Sequence, residues 1–413
     1  MSAAETRQLR AWMASHETEM VAFLGRIVDM DTATLERASV ETLARLMAER
    51  LRALGFTVER RDPAEPPHAW IAEAFLGGRG AAAIAPAVVG RLGGGQGRGH
   101  LLVVAHLDTA FPPGAPAARP FRVADGRAYG PAVADMKGGV VGALYACRAL
   151  LECGLARPET ITVVFDTDEQ AGTVCSRPLL ESLAAHADWG LVTESGRAGG
   201  QVVGQRAGLA MGELVVSGVE AHLGTGFREG RSAIEALCRK VTALHRLHDP
   251  EHGVLLNVGE IRGGTRRNLY AARAEARMDV RVRDLPAWER TRRAIEAIAA
   301  AEDVPGTRTE LRLWPHRPPM PWTAATDRLA ALVAESGREM EAEIDTVATM
   351  GGSDANLLAA MGLPTLCGLG PVGGAVMTDG EYIELPTLAE RATVVAALAH
   401  KLATRPGAVP RPG

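Results

Sequence analysis

The sequence predicts an α/β protein: a mixed, mainly parallel sheet flanked by helices, with a ferredoxin-like α+β domain inserted into it. Three observations carry the prediction. Short apolar runs end in polar residues at HLLVVAHLDT (100–109), TITVVFDTDE (160–169) and WGLVTES (189–195), the pattern of strands covered on both faces. Segments of helical periodicity separate the runs, which implies parallel pairing with helices on both sides. From residue 209 the texture changes to strands that alternate apolar and polar residues.

In chain order, residues 1–56 read as two helices. Met20, Phe23, Leu24, Ile27 and Val28 recur at helical spacing, as do Leu43, Leu46, Met47, Leu51 and Leu54, and Gly55 closes the second helix. FTVER follows as a strand. Residues 77–99, rich in Gly and Ala, read as a strand between loops. GGVVGALYACRALLECG (138–154) is a helix between the first two buried strands. In the second region, GLAMGELVVSG, SAIEALCRKVTALHRLH, GVLLNVGEI, AEARMDVRVRD, PAWERTRRAIEAIAAAE and TRTELRLW follow the order β-α-β-β-α-β, the ferredoxin-like pattern. PHRPPMPW (315–322) reads as a linker back to the first domain, and residues 325–413 resume segments suited to its sheet. The division is thus 1–208 with 319–413, and 209–318 between them. The closing PGAVPRPG is expected to fray.

Composition excludes several functions. The 413 residues are 47% hydrophobic, enough for more than one core, and the net charge of −4 offers no basic surplus for nucleic acid or an anionic membrane. Aromatics at 4% make a base-stacking platform a poor expectation. The five cysteines lack CxxC spacing and read as reduced thiols; Cys147, Cys153 and Cys238 are expected as small buried hydrophobes. The opening segment is charged and helix-like without the apolar stretch of a signal peptide, and no apolar run reaches membrane-spanning length. The expected setting is soluble and cytoplasmic. There is no GxSxG elbow for a serine hydrolase, and GRLGGGQGRG lacks the Lys-Ser/Thr ending of a phosphate loop.

Polar residues gather just beyond the ends of the buried strands, the edge where open α/β sheets bind ligands. His106, Asp108, Asp168, Glu169 and Glu194 are therefore expected on one rim. Four islands stand out: AHLDTAFP, GPAVADMKGG with Asp135, DTDEQAGT and LVTESG. With SGVEAHLGT (His222), GGTRRNLY (Asn268), DVRVRD (Arg281) and MGGSDAN (Gly352, Asp354), they make the chain resemble the M20 metallopeptidases over nearly its whole length. That family includes carboxypeptidase G2-like enzymes, aminoacylases, acetylornithine deacetylases and succinyl-diaminopimelate desuccinylases.

The resemblance implies a zinc-peptidase-like catalytic domain with residues 209–318 as a lid through which two copies pair. It implies His106, Asp135 and Glu194 as ligands of a first metal, one imidazole and two carboxylates being a set that suits zinc. It implies Asp108 as the group that orients the imidazole, and Glu169 as general base. His222 would steady the oxyanion from the lid of a partner copy. Asn268 and Arg281 would hold the substrate's carboxylate, Arg through its planar fork, with Gly352 offering a backbone N–H. Arg281 also has Asp279 and Asp284 as surface partners.

Two positions depart from the pattern. Gln170 stands where the family has a second acid, and Met377 where it has a histidine, with no histidine between His316 and His400. Both belong to the second metal. A neutral carbonyl and a thioether are poor zinc ligands, so the expectation is one zinc per chain, with manganese or cobalt as alternatives. Asp168 and Asp379 are the nearby acids that could substitute. The reading is a one-metal hydrolase of the amide C–N bond in an N-acyl amino acid or small peptide. A non-hydrolytic biosynthetic enzyme on the same scaffold, and a binder of small carboxylates, stay open beside it.

Overall fold

The computed structural model describes residues 1–405 and 407–410. The chain forms two units: Met1–Gln205 with Trp322–Ala348 and Ser353–Gly413, and Arg206–Pro321 with Thr349–Gly352. The short stretch holding Gly352 thus groups with the second unit, although the sequence reading had put it in the first.

The first unit is built on a six-stranded sheet. Its spatial order is Thr57–Arg61, Ala87–Leu92, Thr160–Asp166, His100–His106, Trp189–Val192 and Thr365–Leu366. The three pairings made among the last four of these strands are parallel; the two edge pairings beside them are antiparallel. The central strands are buried almost throughout, because helices cover both faces and no position is left for a polar residue until the strand ends. Helices Ala3–Val28, Gly138–Glu152 and Pro386–Thr404 pack on one another over this sheet. Ser2 caps the first helix through a reciprocal bond with Glu5.

Three local features were not read from the sequence. Residues Ala69–Leu76 form a helix closed by Gly77 in the left-handed region. The strand Arg308–Arg317 runs into the stretch read as a linker. A small sheet joins Gly373–Gly374, Tyr382–Glu384, Arg127–Tyr129 and Arg122–Ala124, pairing Tyr382 with Tyr129 and Glu384 with Arg127. It brings the 375–384 segment beside the loop that carries Asp135.

The expected fraying of the C-terminus falls partly on Pro406 and residues 411–413, which lie outside the described residues. Within them Val409 is 2% exposed, and its carbonyl accepts from the Trp189 indole at 2.9 Å. Cys238 is exposed, contrary to expectation, on the outer side of its helix; the other four cysteines are buried, and all five are free.

The second unit is a four-stranded antiparallel sheet in the order Val254–Gly263, Arg273–Val282, Gly208–Ser217, Arg308–Arg317. Helices Ala233–His245 and Leu285–Ala300 pack on it around Leu214, Leu237, Val280 and Ile295. Among the described residues, no helix is long and apolar enough to cross a membrane.

Candidate active site

Parallel pairing brings the carboxyl ends of three strands to one edge. His106 ends its strand opposite Asp166, and Val192 ends the next strand two residues before Glu194. Asp135 arrives from the turn that starts helix Gly138–Glu152, where Ala132 has φ +61° and the Asp135–Met136 peptide is cis. That helix can approach closely because position 139 is glycine: a Cβ there would lie 1.8 Å from the Thr193 carbonyl oxygen.

The outcome is a cluster of His106, Asp135 and Glu194 whose ligand atoms all lie within 4.8 Å of one another. His106 Nε2 is 3.2 Å from Asp135 Oδ1, 3.9 Å from Glu194 Oε1 and 4.0 Å from Glu169 Oε2. On the other side of the ring, Nδ1 is 3.0 Å from the Asp108 carbonyl and 3.3 Å from its carboxylate. Those acceptors hold the proton on Nδ1 and leave Nε2 toward Asp135 and Glu194. Burial disfavours the imidazolium, but Asp108 and Asp135 outweigh it and raise the His106 pKa well above 6.5. A hollow this rich in carboxylate draws positive charge, whether a proton or a cation. One nitrogen and two oxygens, nearly buried and backed by Asp108, fit a divalent metal of the zinc type.

Asp108 is a junction. Its Oδ1 accepts from the Glu169 amide at 3.2 Å, and its Oδ2 from the Gln170 amide at 3.1 Å and the Thr34 hydroxyl at 2.7 Å. One buried carboxylate therefore fixes both the imidazole and the backbone of residues 169–170.

At the altered positions, Gln170 Nε2 donates to Asp135 Oδ2 at 3.1 Å. A carboxylate accepts only, so the nitrogen of that carboxamide must face it. Asp135 thus turns one oxygen to His106 and has the other capped by a neutral amide. Met377 is exposed at φ +61°. The two possible substitutes are engaged elsewhere: Asp168 accepts from the Cys175 and Ser176 amides, with burial pushing its pKa up to about 6, while Asp379 is exposed and pairs with Arg119 at 3.2 Å.

Sequence reasoning missed Glu381. It is 1% exposed; Oε1 accepts from the amides of Ala134 (2.8 Å) and Asp135 (3.0 Å), and Oε2 from the Met377 amide (3.0 Å). Burial raises its pKa to about 7, with Asp135 adding to the rise and the three amides opposing it. The acidic residue before Tyr382 was visible in sequence, but its target is backbone, which leaves no pairwise signal.

The other four positions lie in the second unit. The exposed His222 accepts the Gly224 amide on Nδ1 at 3.2 Å, so its neutral ring carries the proton on Nε2. It bridges Leu269, next to the exposed Asn268. Arg281 donates to Asp279 at 2.9 Å and to the Met350 carbonyl at 3.3 Å. Gly352 allows close approach: a Cβ there would meet Arg317 and Leu209 at 2.9 Å.

Comparison with known proteins identifies the family. The model of peptidase family M20/M25/M40 matches residues 102–401. Carboxypeptidase G2 of Pseudomonas sp. (strain RS-16) is 27% identical over 385 residues, 92% of this chain and 88% of the relative. A succinyl-diaminopimelate desuccinylase of Xylella fastidiosa (strain 9a5c) is 25% identical, covering 88% and 93%. Among solved structures, a tripeptidase from Staphylococcus aureus subsp. aureus mu50 superposes with a TM-score of 0.77 at 19% identity, covering 94% of this chain and 99% of that one.

Proposed function

The chain belongs to peptidase family M20/M25/M40, a family of metal-dependent hydrolases of amide C–N bonds, and from that premise we propose that it cleaves an N-acyl amino acid or small peptide with a single divalent cation. The observation that carries the one-metal reading is Gln170 Nε2 on Asp135 Oδ2, 3.1 Å apart, beside the cluster of His106, Asp135 and Glu194. A second cation would need that oxygen and would meet a carboxamide N–H instead.

In this reading His106, Asp135 and Glu194 hold one zinc, with manganese or cobalt as chemically acceptable substitutes. The cation supplies Lewis acidity toward the scissile carbonyl and lowers the pKa of a water. Glu169 removes the proton of the attacking water and returns it to the leaving nitrogen. Its backbone is fixed by Asp108, which supports that role. His222, with its proton on Nε2, is suited to donate to an oxyanion. Asn268 and Arg281 receive the substrate's carboxylate, and the Gly352 backbone N–H faces the substrate.

The reading extends to a cytoplasmic homodimer paired through the lid, residues 209–318. Leu223, Phe227 and Ile261 are large apolar side chains exposed in that unit.

The test is metal analysis with an amidase assay. One zinc per chain with hydrolysis of N-acyl amino acids is expected, and Glu169→Gln should lower kcat by about 10²–10⁴ while ligand binding persists. Full activity in that variant would remove Glu169 as the base. Bound metal with no hydrolysis would favour the biosynthetic alternative.

A further inference from the structure

Residues 375–380 are all exposed, and the segment ends on Glu381, which is 1% exposed. The segment folds on itself: the Thr378 amide donates to the Ala375 carbonyl at 3.1 Å, and the Glu381 amide to the Thr378 carbonyl at 3.1 Å. Glu381 leads into the strand Tyr382–Glu384, which pairs with Arg127–Tyr129, and that second strand runs on into the turn carrying Asp135. Glu381 and the Asp135 turn thus spring from neighbouring strands of one small sheet. The Glu381 carboxylate bonds only to backbone: Oε1 takes the amides of Ala134 and Asp135, and Oε2 that of Met377. Two of the three belong to the turn of a candidate metal ligand.

A buried amide needs an acceptor, and an aspartate readily supplies one to its own or a neighbouring amide. With the amides of residues 134 and 135 left free, the Asp135 carboxylate would be drawn back onto its own turn. It lies instead 3.2 Å from His106 Nε2 through Oδ1 and 3.1 Å from Gln170 Nε2 through Oδ2. The far end of the turn is also held through backbone, by Lys137 Nζ on the Met30 carbonyl at 2.8 Å. Asp135 sits between the two grips with its side chain spared for the cluster. We propose that Glu381 is a positioning residue of the metal site: by occupying those two amides it keeps both Asp135 oxygens turned toward the cluster. The 375–381 segment, in which Met377 stands where the family has a histidine, serves as the mount of that carboxylate rather than as a source of ligands. The proposal rests on the reading of Asp135 as a metal ligand.

The test measures zinc affinity by chelator competition and, on the metal-stripped protein, hydrogen–deuterium exchange of the segment 130–137. Glu381→Ala should weaken zinc binding by about 10–100-fold, the usual loss when a group behind a ligand is removed. Exchange in 130–137 should quicken by at least about tenfold while strand 100–106 keeps its protection, because the opening is local. Glu381→Gln keeps the length and one acceptor oxygen, which serves most donors when turned to the Asp135 turn; protection of 130–137 should then stay within about threefold of the parent while exchange in 375–381 quickens. Glu384→Gln is the control: its carboxylate meets the Arg127 guanidinium at 2.8 Å in the same small sheet, half-exposed, and its loss should leave both readings within about twofold. Unchanged zinc affinity in Glu381→Ala would overturn the proposal, and so would exchange that quickens equally in 100–106, the mark of general destabilisation. If Glu381→Ala does not fold, Glu381→Gln decides: faster exchange in 375–381 upholds the mount, and none overturns it. A parent that binds no zinc would sink the one-metal reading, and exchange in 130–137 of Glu381→Ala would still judge whether Glu381 holds the turn.

Discussion

Replacing Asp108 by Asn is a demanding test of the site, because the change keeps shape and removes only charge and two acceptor sites. The Asp108 carboxylate meets four donors: His106 Nδ1 at 3.3 Å and the Glu169 amide at 3.2 Å on Oδ1, and the Thr34 hydroxyl at 2.7 Å and the Gln170 amide at 3.1 Å on Oδ2. Asn retains one acceptor oxygen, and the smallest loss comes from leaving it toward His106 and Glu169. The new NH2 then faces Thr34 and Gln170. Thr34 can adapt, because its hydroxyl already lies 3.1 Å from the Thr109 carbonyl and can donate there while accepting from Asn. The Gln170 amide cannot, and is left part-buried without that acceptor. One such orphan costs about 1–3 kcal/mol of stability. Loss of the charge behind His106 should also weaken metal binding by about 10–100-fold, the usual effect of removing a carboxylate behind a ligand histidine. Denaturant unfolding of the metal-stripped protein reads the first quantity, and competition against a chelator the second. A variant that matches the parent in both would refute the view of Asp108 as the junction of the site.

Restoring the altered positions together, Gln170→Glu with Met377→His, should raise bound metal from one ion per chain to two by elemental analysis; no second ion would mean those positions do not make up a second metal site. Glu335 accepts both guanidinium nitrogens of Arg405 at 2.7 and 2.8 Å and lies 3.3 Å from Lys401; with Arg405 first and Lys401 after it, its pKa is depressed from 4.5 to about 2. A depressed carboxyl stabilises the fold above about pH 4.5 and loses that contribution as pH falls toward 2, so Glu335→Gln should cost about 1 kcal/mol at pH 7, discounted for its partial exposure, and nothing near pH 2. A pH-independent difference in unfolding free energy would contradict this. Gly139→Ala puts a methyl 1.8 Å from the Thr193 carbonyl oxygen, and the backbone shift should cost about 1–3 kcal/mol, read as a lowered denaturant midpoint; an unchanged midpoint would show that the helix is free to retreat.

What the sequence disclosed and what it hid follow one division. Strands 100–106, 160–166 and 189–192 were legible because burial on both faces leaves a continuous apolar run. The order of helices and strands in the second unit was legible from alternation. The helix Ala69–Leu76 was hidden, since eight residues between a proline pair and a glycine pair give too few turns for periodicity to register. Cys238 was misjudged because a helix shows which residues repeat, not which face of the repeat meets solvent at a given cysteine. The substitutions at Gln170 and Met377 were plain in the sequence. That the Gln170 carboxamide would lie on Asp135 was not, because such a contact depends on a rotamer. Glu381 was hidden for a related reason, its partners being three backbone amides.

The contact between Trp189 and Val409 has a consequence for how the chain is made and handled. The strand beside the candidate ligand Glu194 takes its outer neighbour from residues 365–366 and has its indole capped by a carbonyl 220 residues later. While synthesis is still short of those residues, that flank of the sheet stays open and sticky. Trimming the tail, or fusing a rigid partner close behind it, should behave like an injury to the interior and show itself as aggregation rather than as slower turnover.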